Sequence, residues 1–197
     1  MIDAKKIDQF GCVRINGFLD PTTVATISQY FENKIALGEW KETVEKNTES
    51  EITKLFYYAD PLIEVVLKTS KTLVEEAVGK ELFPTYSYAR VYQPGEELKP
   101  HIDRPACEYS VTVNIAHNGE ASPIYMQYKD NPVEQYTLAS GDAVVYKGCE
   151  VRHWREPLQK DQLNVQFMLH YVDKHGANAA HRFDKRAALG LPHVLKG

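Results

Sequence analysis

Thiols are scarce in this sequence: three cysteines (Cys12, Cys107 and Cys149) in 197 residues, none in a C-x-x-C spacing. An odd, scattered set argues against a disulfide framework and against a thiolate zinc site, and it fits a reducing cytoplasm. No apolar run approaches the ~20 residues that a membrane-spanning helix requires. The opening stretch, MIDAKKIDQFGCVRING, carries charges but lacks the apolar segment of a secretory signal. A strong charge of one sign is missing as well. With 23 Lys plus Arg against 27 Asp plus Glu the formal net charge is −4, so neither nucleic acid nor a membrane is indicated as a partner. No internal repeat is present. At 43% hydrophobic, the chain reads as one cytoplasmic globular domain, long enough for one well-buried core.

Three segments are expected within it: a strand and helices over 1–83, a β-rich core over 84–173 and a tail over 174–197. GCVRINGFL reads as a short strand, with Val13 and Ile15 alternating. Asp20 and Pro21 are suited to open a helix whose apolar face is Val24, Ile27, Phe31 and Ile35. Asp60 and Pro61 repeat that start, followed by Leu62, Ile63, Val66, Leu73 and Ala77, with Gly79 placed to end the helix. Between them, EKNTESEITK reads as an exposed connector. After Pro84, short β-rich runs follow one another between Gly, Pro, Asn and Asp: TYSYARVY, EYSVTVNIA, PIYMQYK, VEQYTLA, DAVVYKG and QLNVQFMLHYV. Such spacing predicts a mainly β fold, a barrel or jelly roll buttressed by flanking helices. The basic tail shows one weak helical stretch, HRFDKRAAL.

Within the β region, His101 and Asp103 are two residues apart, so on an extended strand both point to the same side and Ile102 points away. An imidazole and a carboxylate together suit a divalent metal that accepts mixed N and O ligands. A third ligand is needed, and His153, after the run ASGDAVVYKG, is the strongest candidate. Two histidines and a carboxylate with open positions form the ligand set of non-haem Fe(II) oxygenases. Taken alone, H-x-D is most often a hydrogen-bonded surface pair; its value here lies in the pieces that follow it in order.

Those pieces are Arg90-Val91-Tyr92, Gly95, His101-Ile102-Asp103, EYSVTVNI, Gly141-Asp142-Ala143-Val144-Val145, His153 and LNVQFMLHYV. From about residue 84 to 173 the chain resembles the double-stranded β-helix (cupin-like) core of the Fe(II)/2-oxoglutarate-dependent oxygenases, in the prolyl-hydroxylase-like branch. The resemblance implies iron held by His101, Asp103 and His153, with 2-oxoglutarate and O₂ as cosubstrates and ascorbate as an accessory reductant. It implies hydroxylation of an unactivated C–H, on a prolyl side chain, another amino-acid or protein substrate, or a small molecule.

Relatives hold the far carboxylate of 2-oxoglutarate with a cation on the closing strand, where this chain has Leu163 and Asn164. Arg155 is the first choice to replace it, since His153 and Arg155 share a face if that stretch is extended; the competing reading pairs Arg155 with Glu156 at the surface. Lys160 and Arg90 are the other cations near by. Tyr86, Tyr88, Arg90 and Tyr92 share a face, and the resemblance turns it inward, with Tyr92 on the cosubstrate and Tyr88 shaping the pocket. Ser110, Thr112 and Asn114 form a polar stripe that faces either water or the barrel interior; the resemblance favours the interior, with Asn114 as a cosubstrate contact. His117, His175, His181 and His193 fall outside the pattern and read as solvated, while His170 on the closing strand is left open. Two rival readings remain: a cupin-like metalloprotein with the same triad and no 2-oxoglutarate, and a β-barrel binding module without a metal.

Overall fold

The computed structural model describes residues 5–46 and 51–190. A short helix α1 (Lys5–Phe10) and strand β1 (Cys12–Ile15) precede helix α2 (Pro21–Ala36). The Asp20 carboxylate accepts the Thr22 and Thr23 N–H groups at 2.9 and 3.0 Å, satisfying donors that the first helical turn leaves free. Ile27 and Phe31 are buried as expected, whereas Ile35 is exposed and its neighbour Lys34 takes the buried position in the last turn of α2.

The second predicted helix is two. α3 (Pro61–Thr69) is capped by Asp60, whose carboxylate accepts from Leu62 and Ile63, and α4 (Lys71–Val78) ends on Gly79 in the left-handed region at φ 69°. The break falls at Ser70. The preceding Thr69 hydroxyl turns back onto the carbonyls of Val65 and Val66 at 3.0 and 3.2 Å, a local bond that competes with helix propagation. Asp60 also binds helix α2 through the Tyr30 hydroxyl at 2.8 Å and the buried Lys34 ammonium at 3.1 Å.

The expected connector at 45–54 is largely strand. β2 (Lys41–Lys46) and β3 (Glu51–Tyr58) form an antiparallel pair, with residues 47–50 between them lying outside the described residues. β3 pairs in turn with β4 (Leu82–Tyr92), whose open edge supplies a ladder partner that a polar local sequence does not disclose. The remaining strands are β5 (Leu98–His101), β6 (Tyr109–Asn118), β7 (Ile124–Tyr128), β8 (Glu134–Tyr136), β9 (Ala143–Tyr146), β10 (Val151–Arg155) and β11 (Leu163–Asp173).

Two antiparallel sheets result, one in the order β1-β9-β6-β11-β4-β3-β2 and one in the order β5-β10-β7-β8. Strand β6 shows why the large sheet needs cover on both faces. Val111, Val113 and Ile115 pack with Ile63, Leu67 and Phe31 of the helices, while Ser110, Thr112 and Asn114 turn the other way and are also buried. Ile124, Met126 and Val151 of the small sheet meet Val144, Tyr146 and Cys12 of the large one in a second core. No helix among the described residues is long and apolar enough to cross a membrane.

Among the described residues the tail forms no α-helix. Ala179–Lys185 is a kinked 3-10 turn with Phe183, Asp184 and Lys185 at positive φ, held down by the Arg104–Asp184 and Arg186–Glu64 ion pairs. Tertiary ion pairs override the weak helical pattern there.

Candidate metal centre

Strands β5 and β10 run antiparallel with His101 directly opposite His153, which brings the two imidazole centroids to 4.3 Å. β5 ends at His101, so Asp103 is not on a strand. The chain turns, the Asp103 N–H donates to the Gly148 carbonyl at 2.8 Å, and Ile102 is left exposed. The carboxylate thereby returns to the same point, with Asp103 Oδ1 3.7 Å from Nε2 of both histidines. One atom from each residue lies within 4.8 Å of the others, a group able to hold a metal ion.

Hydrogen bonds set the chemistry of these atoms. His101 Nδ1 faces the Lys99 carbonyl at 2.8 Å and His153 Nδ1 faces the Val151 carbonyl at 3.0 Å. A carbonyl only accepts, so each Nδ1 carries the hydrogen and each Nε2 keeps a lone pair for a metal. Burial lowers the His153 pKa, which favours the neutral ligand form. The Ser110 hydroxyl donates to Asp103 Oδ2 at 2.8 Å and accepts from His170 Nδ1 at 2.9 Å, so it orients the carboxylate.

Asp103, Cys107 and His170 also converge. Burial, followed by the Asp103 charge, pushes the Cys107 thiol up to about 12, so it is a protonated thiol beside the Tyr86 hydroxyl at 3.1 Å rather than a ready thiolate ligand. The His101–Asp103–His153 group has the better donors.

His170 itself is lowered from 6.5 to about 4 by burial. As pH falls, the unfolded chain takes up this proton first, so stability present above pH 6.5 is lost progressively down to about pH 4. The expected loss from this group is about 3 kcal/mol, with His153 adding in the same direction. Urea denaturation of the metal-free protein at stepped pH should show the slope, and His170→Gln should flatten it; an unchanged slope would dismiss His170 as its source.

Gly148 supports the carboxylate from behind. A Cβ built there would lie 2.6 Å from Asp103 Oδ2, 2.8 Å from Ser110 Oγ and 2.2 Å from the Cys107 carbonyl oxygen. Gly148→Ala must therefore displace Asp103 or the turn that carries it. We expect the affinity of this group for a divalent metal to fall by about 10–100-fold, as when a metal ligand loses its orienting partner. Titration against a competing chelator measures this, and parent-like affinity would mean the turn absorbs the methyl group.

Next to the triad, a cavity of about 190 Å³ opens between the sheets. Tyr86, Tyr88, Arg90 and Tyr92 all line it, as their shared face on β4 predicts. Arg155 shares the inward face of β10 with His153 and is only 3% exposed, which excludes the surface pair with Glu156; that carboxylate accepts from Trp154 Nε1 instead. Yet Arg155 is not on the cavity wall. Its Nη1 donates to the Ser122 carbonyl, its Nη2 to Gln166 Oε1 at 2.7 Å, and it has no carboxylate partner among the described residues.

Asn114 corrects a sequence expectation. It is buried on the inward face but does not reach the cavity, because its amide donates to the Leu138 carbonyl at 2.9 Å. Gln166, which sequence reasoning missed, stands on the wall in its place. Alternation along β11 could have found it, since Asn164, Gln166, Met168 and His170 share one face. Lys160 is exposed, and His170 faces the cavity. His175 pairs with Glu81 at 2.8 Å and His117 meets the Gly119 carbonyl, both away from the triad; His193 lies outside the described residues.

Two sheets enclosing a His-x-Asp…His group and a polar cavity define a double-stranded β-helix of the kind that houses non-haem metal sites. Solved structures similar to it include Fe(II)/2-oxoglutarate oxygenases, prolyl hydroxylases among them. A Burkholderia pseudomallei oxidoreductase of the 2OG-Fe(II) oxygenase family superposes with a TM-score of 0.68 at 16% identity, over 89% of this chain and 91% of that one. A Pseudomonas putida prolyl-4-hydroxylase gives 0.64 at 14%, over 85% and 96%. The epimerase SnoN, in complex with Fe3+, alpha ketoglutarate and nogalamycin RO, gives 0.67 at 14%, over 86% and 82%. No family model and no curated protein matches the sequence. At such identities the likeness establishes the fold.

Proposed function

We propose that this chain, acting as a single oxygenase domain, couples oxidative decarboxylation of 2-oxoglutarate to hydroxylation of an unactivated C–H. His101, Asp103 and His153 would hold the iron. The observation that carries this reading is the pair of Nε2 lone pairs, each 3.7 Å from the same carboxylate oxygen, with both Nδ1 hydrogens already donated to backbone carbonyls. When bound, iron and 2-oxoglutarate supply the activation of dioxygen, with succinate and CO₂ as products and ascorbate as an accessory reductant.

The residues of the chain bind, orient and exclude water. Ser110 steadies Asp103, and neutral His170 leaves the Asp103 charge available to a metal. Arg90 and Arg155 flank the Tyr92 ring at 4.1 and 5.7 Å, against one buried carboxylate, Glu96, which accepts from Arg90 at 3.0 Å. Two buried cations with one anion leave an excess positive charge, which favours an acidic cosubstrate there. Among the described residues, four buried side-chain atoms without a hydrogen-bond partner belong to this end: Arg90 Nε, Arg155 Nε, Thr112 Oγ1 and Asn114 Oδ1. Tyr88 bounds the cavity on the side of β3, stacked on Phe56 at 5.7 Å. The likeness to a prolyl-4-hydroxylase supports a prolyl or other amino-acid side chain as the primary substrate.

The test is anaerobic. Fe(II) and then 2-oxoglutarate are added to the metal-free protein, and a weak visible charge-transfer band should appear only with both. Iron binding without that band would favour the cupin-like reading, and absence of stoichiometric iron would leave a binding module.

A further inference from the structure

The excess charge at the inner end of the cavity belongs to a residue that does not touch the cavity. Arg155 lies behind the side chain of Gln166, which is 2% exposed and stands opposite Arg90 on β4 and Asn114 on β6. Gln166 Oε1 accepts from Arg155 Nη2 at 2.7 Å and from Asn164 Nδ2 at 3.2 Å. This fixes the amide. Turned over, its NH₂ would meet the Arg155 guanidinium, which can only donate, and that bond would be lost. Gln166 Nε2 therefore points the other way, where its partner is Met168 Sδ at 3.6 Å, a weak acceptor. Met168 lines the same cavity, and opposite it on β6 Thr112 is 1% exposed, its hydroxyl without a hydrogen-bond partner among the described residues.

We propose that Gln166 is the specificity-determining residue of the cosubstrate site: it receives the far carboxylate through Nε2, with the Thr112 hydroxyl beside it. Arg155 is a positioning residue that acts through it, orienting and polarising the amide by its bond to Oε1. Arg90 is less available for this task, because its charge already faces Glu96. The proposal rests on the 2-oxoglutarate reading and gives it a contact that replaces the closing-strand cation of the oxygenases this chain resembles. An amide takes the place of that cation, and the cation stands one bond further back.

A near-isosteric substitution separates the two roles of this side chain. Gln166→Glu places a carboxylate against Arg155, so a buried unpaired cation gains a counter-ion while the cavity loses its donor and gains a negative oxygen. The metal-free variant should melt at a higher temperature than the parent. Once loaded with Fe(II) under anaerobic conditions, it should bind 2-oxoglutarate about 100-fold more weakly. Gln166→Met, which keeps the volume and removes the N–H, should weaken 2-oxoglutarate by about 10-fold. Pyruvate, a 2-oxoacid with no far carboxylate, should bind both variants as it binds the parent. Affinities are read from the charge-transfer band. Unchanged 2-oxoglutarate affinity in both variants would overturn the proposal and leave the parent reading intact, and so would equal losses for 2-oxoglutarate and pyruvate. A parent protein that forms no 2-oxoglutarate complex would overturn the parent reading, and the proposal with it.

Discussion

His153→Ala is expected to abolish stoichiometric iron binding while the fold survives. His153 is 3% exposed, sits opposite His101 in the β5–β10 pair, and directs Nε2 towards Asp103. Its removal deletes one of three donors, and the cavity it borders gives the remaining pair no replacement. Neutral His170 lies beyond Ser110, and the Cys107 thiol is held protonated. Loss of an orienting partner of a metal ligand typically lowers affinity by about 10–100-fold, so loss of the ligand itself should exceed that range. Ser110→Ala provides the scale, since it removes only the hydroxyl that donates to Asp103 Oδ2. We expect Ser110→Ala inside that range and His153→Ala, Asp103→Ala and His101→Ala beyond it. Iron content after gel filtration, read with circular dichroism for the fold, decides the matter. Stoichiometric iron retained by a folded His153→Ala protein would remove the triad from the metal site.

How far such a site can be read from sequence depends on whether its geometry is local. Asp20-Pro21 and Asp60-Pro61 announced their helices because capping is settled within three residues. His101 and Asp103 were legible as a pair, although the reason for their convergence differs: a strand end and a backbone bond to Gly148 bring them together, rather than alternation along one strand. His153 was legible only because the pieces around it arrive in order; the cross-strand register that sets it against His101 has no local signal. The same limit explains the misses. The β2–β3 pair depends on the open edge of β4, and the break at Ser70 on a hydroxyl turning back onto its own helix. Asn114 and Gln166 both sit on inward faces, and only the Leu138 carbonyl decides that the first is withdrawn from the cavity. Gly148 shows no motif at all; its role is the absence of a Cβ beside a carboxylate.

Arg186→Leu should destabilise the protein by about 3–5 kcal/mol, more than the removal of both partners of its ion pair together. The Arg186 and Glu64 side chains are 0% and 1% exposed, and the guanidinium also donates to the Thr85 carbonyl at 2.9 Å and to the Phe183 carbonyl at 2.9 Å. Taking Arg186 away leaves a carboxylate in an apolar setting between helix α3 and the tail, with the Gly190 N–H as its remaining partner among these bonds. In Arg186→Leu with Glu64→Leu no charge is left behind, so much of the lost stability should return, despite the lost hydrogen bonds. The effect should also spread to the cavity. Next along the tail, Asp184 accepts from both terminal nitrogens of the Arg104 guanidinium at 2.9 Å and from the Tyr58 hydroxyl at 2.6 Å, and Arg104 lies 4.6 Å over the cavity residue Tyr86. A tail released from Glu64 should therefore expose the segment after Asp173 to proteolysis before the sheets open. Urea denaturation of both single variants and the double variant yields the coupling between the pair. If the double variant is as unstable as Arg186→Leu alone, the ion pair and its backbone bonds are net stabilising rather than merely mutually compensating.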